Sequence, residues 1–153
     1  MTDIEVRPAT HADLPSAASL RWRWSLENGQ ELDGTEAEYA ERFAAWADAA
    51  PQHEFFVALR AGQVIGMAWL AIFDRVPAAD AFDRRTGDLQ SVYVVPEERN
   101  GGVGGRLVEA VLRRARELGL QHVTVHSSSR AIPAYQRAGF QMVPQMMYLD
   151  PRA

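Results

Sequence analysis

The chain contains no cysteine and no lysine; all sixteen of its basic residues are arginine. Without cysteine there is no disulfide framework, no thiolate nucleophile and no cysteine-held metal. Without lysine the phosphate loop GxxxxGK[ST] cannot be built. No apolar run approaches the ~20 residues that a membrane-spanning helix needs. The opening MTDIEVRP has no charged-then-apolar leader, so the expected location is the cytoplasm, with no membrane partner. A formal charge of −4 supplies no basic face for a nucleic acid. There is no internal repeat and no low-complexity segment. With 47% apolar and 24% charged residues, positions 1–153 are expected to form one globular domain.

What the chain does have is the stretch Leu89–Gly105, LQSVYVVPEERNGGVGG. Val92-Tyr93-Val94-Val95 is β-branched and apolar and reads as a buried strand that Pro96 ends, because proline cannot donate to a sheet ladder. Arg99, Asn100 and four glycines (Gly101, Gly102, Gly104 and Gly105) follow, and then an amphipathic helix. Strand, glycine-rich turn and helix start bring unpaired N–H groups to one point, at the positive end of a helix dipole. That point suits an anion, and a phosphate above all. The dinucleotide pattern GxGxxG fails, since Leu107 stands where its third glycine would be. A turn that merely caps a helix is the competing account.

In chain order, Ile4–Arg7 alternates and stops at Pro8 as a first strand. A helix is expected from about Ala12 to Leu26, with Trp22 and Trp24 as core or groove wall. Thr35-Glu36-Ala37-Glu38 is a capping box, and the helix it starts runs to about Ala49 with Tyr39, Phe43 and Trp46 at helical spacing. Glu54–Arg60 and Gln63–Phe73 form a hairpin about Ala61-Gly62, and Asp74–Gly87 reads as a loop. After the glycines, a helix from Gly102 to Leu118 turns Leu107, Val111, Ala115 and Leu118 inward, with Glu109 and Arg113 paired outside. Gln121–His126 is a strand parallel to its predecessor, Ala131–Ala138 a short helix and Met146–Leu149 a last strand. The fold class is α/β (α+β), with a mixed sheet that is antiparallel at first and parallel around the glycine loop.

Arg99-x-x-Gly102-x-Gly104-Gly105 resembles the acyl-CoA pyrophosphate loop of the GCN5-related N-acetyltransferases. Val125–Phe140, ending in Tyr135-x-x-x-Gly139-Phe140, is similar to that family's strand-loop-helix signature, and the order of elements matches over nearly the whole chain. The resemblance implies about six to seven strands flanked by about four helices, and acetyl-CoA as co-substrate with no metal. It places the backbone of Val92, Tyr93 and Val94 along the pantetheine arm. The N–H groups of Arg99, Asn100, Gly101, Gly102, Val103, Gly104 and Gly105 surround the pyrophosphate, and the Tyr135 hydroxyl lies at the acyl sulfur as general acid. Where many relatives carry asparagine, this chain has Ser127-Ser128-Ser129. Which serine replaces it is open, and the central Ser128 is carried as the candidate contact.

The implied activity is direct acetyl transfer to a primary amine on a small molecule or peptide, with monomer and homodimer both open. Asp88, Glu31 and His126 are candidate bases, beside a water chain. His122 and His126 do not make a metal site: four strand residues at ~3.3 Å each set them ~13 Å apart. Seven acidic residues between Glu27 and Asp48, against Arg42 alone, point to a cationic acceptor. Two rival readings are a non-catalytic acyl-CoA sensor of the same fold and an unrelated nucleotide-phosphate binder.

Overall fold

The computed structural model describes residues 3–153. Its five strands are β1 (Ile4–Pro8), β2 (His53–Arg60), β3 (Gln63–Asp74), β4 (Arg85–Val94) and β5 (Val123–Val125), hydrogen-bonded in that order. The first three pairings are antiparallel and the β4–β5 pairing is parallel. The helices are α1 (Leu14–Glu27), α2 (Glu36–Asp48), α3 (Val103–Glu117) and α4 (Ile132–Arg137). None among the described residues is long and apolar enough to cross a membrane.

Local chemistry accounts for most boundaries. Ala61 and Gly62 both adopt positive φ (50° and 77°), the backbone of a two-residue turn whose twist suits a hairpin. Thr35 Oγ1 accepts from Glu38 N (3.2 Å), and the Glu38 carboxylate accepts from Thr35 N (3.4 Å), so the capping box closes both ways. Pairing of Met67 with Tyr93 sets these two side chains and Trp69 on one face of the sheet, where Trp24 of α1 stacks on Tyr93 and Phe43 of α2 meets Trp69 edge-on. The other face carries α3. There Leu107, Val111 and Ala115 are buried, and a side chain at Gly66 would come within 3.1 Å of Leu107 Cδ1.

The sequence-based reading needs correction in four places. The sheet has five strands rather than six or seven, because Met146–Leu149 does not pair. Pro144 interrupts the apolar run, Met146 N turns back to Val143 O (3.1 Å), and Met146–Leu149 stay exposed. The loop expected over Asp74–Gly87 is shorter at both ends. Asp74 pairs with Arg85 and Phe73 with Thr86, so cross-strand pairing overrides the polar composition. Strand β5 is reduced to Val123–Val125, leaving His122 and His126 outside it. Glu109 meets Arg116 (3.5 Å) rather than Arg113.

One polar contact ties the first strand to the first helix. Buried Asp13 receives two bonds from Arg7 (2.7 and 3.1 Å) and one from Thr10 N (2.7 Å). The Arg7 guanidinium holds the Asp13 carboxyl below its ordinary range despite burial. This stabilisation is complete above the unfolded carboxylate value of about 3.9, and it fades as pH falls through the lower native value. Asp13→Asn should therefore cost about 1–3 kcal/mol at neutral pH, with the deficit shrinking in acid. Thermal denaturation of both proteins between neutral and acidic pH checks this, and a pH-independent deficit would refute the ionic origin.

Candidate active site

The site begins where β4 loses its neighbour. Parallel pairing covers only Gly87–Leu89 against Val123–Val125, while β4 runs on to Val94. Ser91 sits at positive φ (49°), and the β3 register slips between Met67 and Trp69, a bulge that gives β4 an extra residue here. From Gln90 to Val94 the edge facing β5 is therefore unpaired, and Val92, Tyr93 and Val94 lie on it as expected from sequence. One group is already engaged: Arg99 Nε donates to the Val94 carbonyl (2.8 Å).

Beyond Val94 the chain makes a short turn and enters the glycine loop. Asn100 (φ 67°) and Gly102 (φ 83°) are both left-handed, a conformation that glycine and asparagine tolerate best. The first bond of α3 runs from Arg106 N to Gly102 O (3.1 Å), so the N–H groups of Gly102, Val103, Gly104 and Gly105 precede any intrahelical bond. Gly101, Gly104 and Gly105 are not left-handed, so the backbone does not require glycine at any of them. Packing does not require it either. A side chain at Gly105 would meet nothing within 4 Å, one at Gly104 only Val94 Cγ2 at 3.9 Å, and one at Gly101 only Glu98 O at 3.8 Å. These three bare positions keep a surface open at the positive end of a 15-residue helix.

The Arg99 side chain is not free for an anion. It bonds Glu27 (3.0 Å) and lies over the Tyr93 ring, 5.3 Å from its centroid. Tyr93 also donates its hydroxyl to Glu27 in a short hydrogen bond. Burial first, and then the Glu27 carboxylate, push the Tyr93 hydroxyl up to about 12, so it stays neutral. Burial raises the Glu27 carboxyl, but the bonds from Tyr93 and Arg99 outweigh it and hold the group below its ordinary value. Arg23 links this cluster to Glu97 (2.7 Å).

The other candidates are spread over β4, the segment after β5, α4 and the loop after α1. Tyr135 on α4 is half-buried, packs edge-on against Phe140 (5.6 Å), and has no hydrogen-bond partner for its hydroxyl among the described residues. Burial pushes its hydroxyl up from the ordinary phenol value. Ser127 donates to the Ser128 carbonyl (2.7 Å), and Ser128 itself is exposed. Among the candidate bases, Asp88 accepts from Thr124 (2.6 Å) and Gln90 (2.9 Å), His126 is exposed beside Tyr148, and Glu31 is exposed. The acidic stretch is only partly engaged, with Glu31, Asp33 and Glu41 exposed and without a hydrogen bond or ion pair among the described residues. Glu27 serves Tyr93 and Arg99, Glu36 accepts from Ser19 (2.8 Å), Glu38 caps α2 and Asp48 meets His11 (3.0 Å).

Sequence reasoning missed an aromatic pocket of about 90 Å³ on the α1–α2 face, walled by Tyr39, Phe43, Trp46 and Trp69, with Gln90 and Ser91 of β4 at its edge. The helical spacing of Tyr39, Phe43 and Trp46 was visible in the sequence. Their convergence on Trp69, from the middle of β3, was not.

The matching models and structures agree on class. The model of the acetyltransferase (GNAT) family matches residues 17–140. The chain belongs to the GNAT family of acetyltransferases. A glucosamine 6-phosphate N-acetyltransferase of Trypanosoma brucei brucei is 28% identical over 98% of this chain and 97% of its own. A mycothiol acetyltransferase of Thermobispora bispora is 35% identical over 56% of this chain, which spans only 29% of that longer protein. Among solved structures, a predicted acetyltransferase of Clostridium acetobutylicum with acetyl-CoA shares the fold at TM-score 0.78 and 20% identity, covering 97% of this chain and 96% of that one.

Gly104→Val tests the loop. The added side chain meets no protein atom closer than 3.9 Å, and valine suits a helix at least as well as glycine, so the fold should survive. Affinity for acetyl-CoA, measured by calorimetry, should fall at least about tenfold. Wild-type affinity in the folded variant would refute the assignment.

Proposed function

We propose that the protein transfers the acetyl group of acetyl-CoA directly to a primary amine on a small molecule. The observation that carries this reading is the trio Gly101, Gly104 and Gly105. They are bare without steric or conformational need, at a helix N-terminus that continues from an unpaired strand edge. A diphosphate on the N–H groups from Arg99 to Gly105 and a pantetheine arm along Val92–Val94 would use both features, and Ser128 lies on the loop leading from β5 to α4. Since Arg99 is paired with Glu27, phosphate recognition falls to backbone N–H groups and the helix dipole rather than to that guanidinium.

In the reaction the neutral amine nitrogen attacks the thioester carbonyl carbon. The nitrogen gives up a proton to water or a base, and the carbon–sulfur bond breaks to leave an amide and a thiolate. Tyr135 sits on α4, the helix that follows β5, with no partner for its hydroxyl among the described residues. Burial keeps that hydroxyl protonated, while a free thiol ionises near ~8.5. The phenol therefore stabilises the departing sulfur by a hydrogen bond as charge develops. Its proton passes to the sulfur and is replaced from solvent, regenerating the enzyme.

Tyr135→Phe is the direct test. It removes an oxygen with no protein partner and keeps the contact with Phe140, so melting temperature and acetyl-CoA affinity should hold. Turnover should fall roughly 10²-fold or more, as for the loss of a general acid. Near-normal turnover in the folded variant would mean that the sulfur obtains its proton elsewhere.

A further inference from the structure

The aromatic pocket carries an unpaired charge. Arg21 lines it, and its guanidinium stacks over Trp24, 4.6 Å from the ring centroid. Its only hydrogen bond among the described residues is a long one to Ser25 (3.5 Å), with no carboxylate within ion-pair distance. By contrast Arg7, Arg23, Arg60, Arg99 and Arg114 are each paired with a carboxylate. Stacking on Trp24 holds the Arg21 guanidinium in place without neutralising it, leaving its donor fork available.

A second group in the same pocket also lacks a partner. His53 contributes to the lining, and its Nδ1 is buried with no hydrogen bond among the described residues. An orphaned buried nitrogen is destabilising unless a ligand or water satisfies it. Burial lowers the His53 pKa, so the ring is neutral and adds no charge. Arg21 is then the one formally charged side chain lining the pocket.

The pocket sits directly on the reacting strand. Gln90 and Ser91, at its edge, immediately precede Val92 on the unpaired edge of β4. An acceptor seated there lies beside the strand along which the thioester would run. With about 90 Å³, against the ~150 Å³ of a cavity that encloses benzene, the pocket takes a compact apolar group or one face of a ring rather than a bicyclic body.

We infer that the acceptor is a small amine that also carries an anionic group, its apolar part against Tyr39, Phe43, Trp46 and Trp69 and its carboxylate or phosphate on Arg21. This rests on the acetyltransferase reading and gives the acceptor a charge opposite to the one expected from the acidic residues of the sequence. None of those residues lines the pocket, and the guanidinium there would repel a cation.

Two sources of the anion fit, an apolar α-amino acid and an amino-sugar phosphate, and paired probes separate them. Calorimetry on the full chain saturated with CoA would compare phenylalanine with phenethylamine, and glucosamine 6-phosphate with glucosamine. At least one anionic probe should bind about tenfold or more tightly than its neutral partner, and the pair showing the difference names the source. Arg21→Met should collapse that ratio to near one, and Arg21→Lys should restore part of it. The CoA affinity and melting temperature of each variant serve as controls. Neutral probes or spermidine binding as tightly as the anions, no binding of either anion, or an unchanged ratio in Arg21→Met would each overturn the inference. Failure of the acetyltransferase reading looks different: CoA itself would not bind, or the anionic amines would bind without acetyl-CoA ever being consumed.

Discussion

The parallel contact between β4 and β5 lasts for three residue pairs, and the rest of the site depends on its brevity. Two strands paired along their whole length would bury every N–H and C=O of β4 in the ladder. Because β5 ends at Val125 while β4 continues five residues beyond Leu89, a stretch of backbone keeps its hydrogen-bonding groups on offer. The bulge at Ser91 adds twist at the same place, turning the end of β4 toward the start of α3. The loop of bare glycines follows within a few residues, so an extended ligand with a phosphate end can be read continuously from strand to helix.

An open strand edge needs anchoring from elsewhere, and a charged cluster supplies it. Glu27, the last residue of α1, accepts from both Tyr93 and Arg99, while Arg99 also holds the Val94 carbonyl. Arg60 grips Glu98 through two bonds of 2.9 Å. These contacts fix both sides of the turn between β4 and α3 without placing a side chain in the space above the glycines. They also leave the Arg99 guanidinium paired rather than open to an anion. Its charge is offset within the fold, and what the loop would offer an anion is oriented peptide dipoles whose geometry the helix already sets.

Much of this was legible in the sequence because it is local. The capping box at Thr35, the hairpin at Ala61-Gly62, the inward stripe of α3 and the strand-glycine-helix order are written in adjacent residues, and each formed as expected. Most of the misreadings are matters of pairing at a distance. Met146–Leu149 has the composition of a strand, yet β propensity expresses itself only against a partner edge, and none meets it. Arg85 and Thr86 have the look of a loop but are drawn into β4 by Asp74 and Phe73. A count of acidic residues suggested a negative surface. Ser19, Tyr93, Arg99 and His11, which engage three of those carboxylates (Glu36, Glu27 and Asp48), come from other parts of the chain, while Glu31, Asp33 and Glu41 have no partner among the described residues.

The same distinction separates the two halves of the site. The proposed donor side would consist mainly of backbone, and backbone recognition leaves a compositional trace, glycine where a side chain would intrude. A motif can therefore carry it from one protein to another. The pocket proposed for the acceptor consists of side chains from α1, α2, β2, β3 and β4 that meet only once the sheet has formed. Its character depends on which charges the fold has already neutralised. Arg21 and Arg23 are two residues apart on one helix, so they point in different directions. One meets Glu97 and the other stands over Trp24 without a carboxylate. That difference of direction, invisible in composition, gives the pocket its sign. Charge in a folded protein has to be counted after pairing, and the charged side chain that lines this pocket, Arg21, has no carboxylate partner among the described residues.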